Sequence, residues 1–137
     1  MPESTHAPET YALTAFMLRA VWAGMLAGVL SGAIIGLFFA REDFMGGYQS
    51  WRRRLTRLGH ISFFGLALVN ATFAFTNHAV RLESGLAQLA GWSFVCGAVT
   101  MPLCCFLAAW KQPLRHLFPI PVISVSAGIL LTLAAWN

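Results

Sequence analysis

Apolar residues in this chain gather into four long blocks, divided by short polar stretches. The blocks extend approximately over 15–40, 59–80, 86–110 and 117–136. Each reaches the roughly 20 residues that a helix needs to cross a hydrocarbon layer about 30 Å thick. Lipid offers no partner to backbone polar groups, so helices are the expected spanning form. The pattern predicts an all-α integral membrane protein: one transmembrane domain over 1–137, its four helices in an antiparallel bundle.

The first block carries the most regular spacing. Gly24, Gly28, Gly32 and Gly36 recur every fourth residue, which keeps them on one slowly drifting helix face. Such a groove lets a second backbone approach closely, and close dispersion contact is what holds helices together where lipid removes the hydrophobic drive. The occupant is a neighbouring helix of the bundle or the same helix of a second copy. The only long connection, 41–58, breaks at "MGGYQS" and continues as "SWRRRLTRL". Trp51, Leu55 and Leu58 fall at helical spacing there, so this segment is either a short interfacial helix or the protruding first turns of the second span. Pro102 falls within the third block, and Pro119 and Pro121 predict a kinked or widened start to the fourth. The two halves share no motif, which argues against a repeat-based transporter.

Charge then orients the blocks. Only 10% of the residues are charged and 58% are hydrophobic. Arg41, Arg52, Arg53, Arg54 and Arg57 follow the first block, and Lys111 and Arg115 follow the third; only Arg19 and Arg81 belong to the other side. By the positive-inside rule, loops 1 and 3 are cytoplasmic and both termini lie outside, in the periplasm of a bacterial inner membrane. Trp51 and Trp110 mark the inner interface; Tyr11, Trp22 and Trp136 mark the outer one. The tail "MPESTHAPET" is acidic and precedes an apolar run too long for a signal h-region, so no cleavable leader is expected. The net positive charge needs no nucleic-acid partner to explain it. Arginines at an inner interface also bind anionic lipid head groups.

Candidate chemistry is narrowed first by what is missing. The acidic residues Glu3, Glu9, Glu42, Asp43 and Glu83 all lie outside the apolar blocks, which disfavours proton- or cation-coupled transport. No acid accompanies a histidine at motif spacing, and neither GxSxG nor HExxH occurs, so the chain is not expected to be an enzyme on its own. Cys96, Cys104 and Cys105 form no CxxC and read as small buried apolar residues.

Histidine and asparagine remain at membrane depth. His60 lies at the cytoplasmic end of the second span, Asn70 at its middle, and Asn77 and His78 at its outer end; His116 lies at the cytoplasmic end of the fourth. Two imidazoles at one level on separate helices suit axial ligation of a b-type haem, with His60 and His116 as the iron ligands. Arg53, Arg54 and Arg57 would meet its propionates, or the head group of a quinone. The small residues Ala67, Ala71 and Ala74 continue the His60 face, which leaves room for a flat macrocycle. His78 has no second outer histidine in a span, only His6 in the tail, so a second haem is not expected. Asn70 reads as an interhelical hydrogen bond.

The leading expectation is a small membrane subunit of an electron-transfer, respiratory-type complex, holding haem b or quinone near its cytoplasmic face. The alternative is a cofactor-free structural or assembly subunit that packs on other membrane subunits through the glycine groove. A small dimeric channel or carrier is the third.

Overall fold

A computed structural model of the chain describes the backbone of residues 6–136 and the side chains of 11–83 and 85–136. Glu3, His6 and Glu9, assigned above to an outer tail, fall outside the described side chains. The described residues form helices and no strand: α1 His6–Leu37, α2 Trp51–Val80, α3 Ser84–Trp110 and α4 Pro119–Ala134. Four helical stretches, one for each span, are long and apolar enough to cross a membrane.

Three boundaries differ from the expected ones, the first being the start of α1, which lies at His6 and not near residue 15. The helix α2 begins at Trp51 and not near Gly59, so "WRRRLTRL" forms its first turns and no separate interfacial helix. Ser50 sets that start: its hydroxyl oxygen accepts from the Arg53 backbone N–H at 3.2 Å, and arginine and leucine are good helix formers thereafter. Beyond α3, residues Gln112–Leu117 wind into a tighter 3-10 turn before α4 begins at Pro119. Pro119 and Pro121 occupy the first turn, where a missing N–H removes no intrahelical bond. His116 therefore belongs to the turn ahead of α4 and not to the helix itself.

The helices pack in chain order, α1 on α2, α2 on α3 and α3 on α4, with a lesser contact between α1 and α3. The result is a three-helix cluster with α4 laid along α3. At one end, Asn77 Nδ2 of α2 approaches Thr14 Oγ1 of α1 at 3.4 Å, and Glu83 N–H donates to Ala135 O beyond α4. The start of α1, the α2–α3 turn and the end of α4 thus share that end. A core of Met17, Phe73, Ala74, Ala87, Ala90 and Phe94 fills the cluster. Arg41, Arg52, Arg53, Arg54 and Arg57 gather at the other end. Small residues bring the helices close: Gly59 of α2 lies against Cys105 and Phe106 of α3, and Gly128 of α4 against the Phe94 ring.

Cys104 and Cys105 are buried, in keeping with their reading as small apolar residues, whereas Cys96 is exposed and faces the Ser124 hydroxyl at 3.4 Å. Asn70, 2% exposed, donates from Nδ2 to Leu66 O of its own helix at 2.8 Å and to Phe94 O of α3 at 3.4 Å. Both acceptors are carbonyls, so the amide cannot be turned round, and Oδ1 has no partner among the described residues. The weak interhelical bond and the orphaned oxygen oppose one another. We therefore expect Asn70→Leu to change unfolding free energy by no more than about 1 kcal/mol in a detergent denaturation series. A loss well above that would show that Oδ1 is paired in the folded protein.

Candidate functional site at the arginine-rich end

The sequence places four arginines and a histidine on the first turns of α2, and the fold gives them different tasks. Beyond α1 the chain turns through Phe38–Ala40 and then through a short 3-10 turn, Phe44–Gly46. Gly46 and Gly47 adopt φ of 86° and 95°, a region that favours glycine, and this reverses the chain toward α2. Ser50 ties the loop down by donating to Met45 O at 2.7 Å.

Arg53 points back into this loop and is only 3% exposed. It donates to Phe39 O at 2.7 Å and, at a longer 3.5 Å, to Arg41 O. Its guanidinium also lies 5.0 Å from the Phe39 ring centre, 5.1 Å from Tyr48 and 5.9 Å from Phe44. A cation suits this place because the carbonyls just past a helix C-terminus carry partial negative charge. Arg53 is thus a staple between the end of α1 and the start of α2. Arg54 is exposed and donates to Gln49 Oε1 at 2.7 Å. Arg57 is half-buried, its guanidinium 5.0 Å from the Tyr48 ring centre. Neither Glu42 nor Asp43 forms an ion pair with a described residue.

His60 faces α1. Its Nδ1 lies 3.2 Å from Ser31 Oγ, and the Phe64 ring stands edge-on to the imidazole at 5.5 Å. The ring is admitted because Gly32 has no side chain: a Cβ there would stand 2.5 Å from His60 Cε1. The Ser31 hydroxyl donates to Gly28 O at 3.0 Å. A hydroxyl has one proton, so with that proton on Gly28 O, its oxygen accepts from His60 Nδ1–H. With Nδ1 engaged by Ser31, Nε2 is the ring nitrogen open to a further partner. Nε2 takes no hydrogen bond from the described residues.

The remaining candidates fall elsewhere. Gly24, Gly28 and Gly32 receive Ala67, Phe64 and His60 of α2, so a helix of the same chain occupies this groove; Gly36 has nothing within 4 Å of a Cβ position. His116 is exposed in the Gln112–Leu117 turn, which packs on α3. His60 and His116 lie toward the same end but on different neighbours, and no hydrogen bond or ring contact joins them. His78, at the opposite end, stands by Tyr11 with ring centres 6.1 Å apart. Among the described residues, no three His, Cys, Asp or Glu side chains converge on one point.

Sequence reasoning missed Ser31 as the partner of His60. The available signal was that Ser31 is the one serine of α1 and adjoins the glycine register. The tethering role of Arg53 had no such signal, because it depends on where the loop aromatics fold back. No protein-family model matches the chain, and no curated protein or solved structure matches it.

Proposed function

We propose that the chain is a small integral membrane subunit of an electron-transfer assembly, with its arginine-rich end inside the cell, and that His60 contacts a haem b or a quinone there. One observation carries this reading: Ser31 Oγ engages His60 Nδ1 at 3.2 Å within an apolar helix pair, while Nε2 takes no hydrogen bond from the described residues. A purely structural histidine in an apolar span would gain from pairing both nitrogens, since unpaired polar groups are costly there. His60 supplies one ligand, or one hydrogen-bond acceptor for a quinol hydroxyl. The opposing group would be His116, on the turn that packs against α3 toward the same end, or a residue of another subunit or a second copy. The cofactor-free assembly reading loses the glycine groove as a docking face, since α2 fills it at Gly24, Gly28 and Gly32.

The test is a visible spectrum of the protein purified with whatever subunits accompany it, reduced with dithionite, alongside solvent extraction for quinone. A reduced-haem α-band, or bound quinone, that disappears in His60→Ala is the expected result. A complex with neither, or one in which His60→Ala leaves the cofactor content unchanged, ends the proposal.

A further inference from the structure

We propose that Arg54 and Arg57 bind the phosphate of an anionic phospholipid whose acyl chain lies along the exposed apolar face of α2 below them. The inference does not depend on whether His60 carries a cofactor.

Four observations converge on it. First, the two guanidinium groups are left with donors to give. A guanidinium has five N–H donors; Arg54 uses one on Gln49, and among the described residues Arg57 has only the Tyr48 ring. Second, neither nearby carboxylate of the loop is paired with them, since Glu42 and Asp43 form no ion pair among the described residues. Third, Arg53 is excluded from the site by its own contacts, but by pinning the loop it fixes Tyr48 beneath Arg57. The end of α2 is already capped by Ser50, so the anion would be held by side chains and not by the helix terminus.

Fourth, the surface below the arginines is apolar and open. Positions 54, 58, 61 and 68 fall on one helix stripe. Leu58 is 44% exposed, Ile61 60% and Leu68 64%, with the Phe64 ring along their flank. Gly65 interrupts the stripe with nothing within 4 Å of a Cβ position, which leaves a shallow notch. From Arg57 to Leu68 the helix rises about 16 Å, close to the roughly 15 Å depth of one hydrocarbon leaflet. A lipid phosphate at the arginines would therefore place its acyl chain on this column down to the bilayer centre. Free phosphate has the same charge and acceptors but no use for the column, which is why the lipid is preferred.

The test compares ligands of matched chemistry on the full chain in uncharged detergent, by native mass spectrometry and thermal unfolding. The probes are phosphatidylglycerol, phosphatidylcholine with the same acyl chains, glycerol 3-phosphate and inorganic phosphate. Phosphatidylglycerol should bind about tenfold or more tightly than phosphatidylcholine, the scale expected when two basic groups meet an anionic head group. Arg54→Ala with Arg57→Ala should remove that preference, while Arg19→Ala with Arg81→Ala, at the other end, should keep it. Arg54→Gln with Arg57→Gln serves the same purpose should the alanine pair fail to fold. Equal binding of the two lipids, or a preference that survives loss of both arginines, overturns the proposal. Inorganic phosphate or glycerol 3-phosphate matching phosphatidylglycerol would assign the arginines to a soluble phosphate and overturn it as well.

Discussion

Gly32→Leu is expected to drive the His60 ring out of the α1–α2 interface and to lower unfolding free energy by about 1–3 kcal/mol, the usual cost of overpacking a close contact. The first added carbon already meets His60 Cε1 at 2.5 Å, well inside contact distance. The imidazole tip can swing aside, but only by leaving Ser31 Oγ, now 3.2 Å from Nδ1. Gly36→Leu tests whether this cost is specific. It lies on the same register with nothing within 4 Å of its Cβ position, so it should be neutral or slightly stabilising through helix propensity. Chemical denaturation in detergent measures both. Pairing Gly32→Leu with His60→Ala completes the comparison. If the clash is with the imidazole, the double variant should lose clearly less than the sum of the two single losses. Additive losses would place the clash elsewhere.

Arg53→Ala is the second large effect, with an expected loss of about 2–3 kcal/mol. Removing the guanidinium takes away the charge-assisted bond to Phe39 O and the attraction of three aromatic rings. It also leaves Phe39 O, past the end of α1, without that donor, whereas Arg41 O keeps the Phe44 N–H. Arg53→Lys keeps the charge but not the planar fork, so it should fall between alanine and the native residue. Arg54→Ala, one residue along and exposed, should change stability by less than about 0.5 kcal/mol. Thermal unfolding of the three variants side by side decides the matter. Equal effects of Arg53→Ala and Arg54→Ala would mean that the buried arginine is no more than another interfacial charge. Limited proteolysis within 41–50 should also increase only for the Arg53 variants, because that side chain joins the loop to α1.

These two residues also mark where reading along the chain stops. Block length and apolarity alone determined four helices able to span a membrane, because backbone groups removed from water must pair within their own segment. The spacing of Gly24, Gly28, Gly32 and Gly36 determined that a face of α1 can be approached closely, since periodicity is a local property of a helix. Which helix approaches is a contact between distant residues. Only the tertiary structure showed α2 filling the groove at three of the glycines and missing Gly36. The arginine run was legible as one charged patch, yet Arg53 became a buried staple, Arg52 and Arg54 exposed cations and Arg57 a half-buried one. That division follows from helix phase combined with the path of a loop held by Ser50 and two positive-φ glycines. The level of His60 and His116 along the chain was likewise readable, while the direction each takes was not. Depth follows from counting residues along a helix, whereas direction depends on which neighbour each segment packs against: α1 for His60, and α3 for the turn that carries His116.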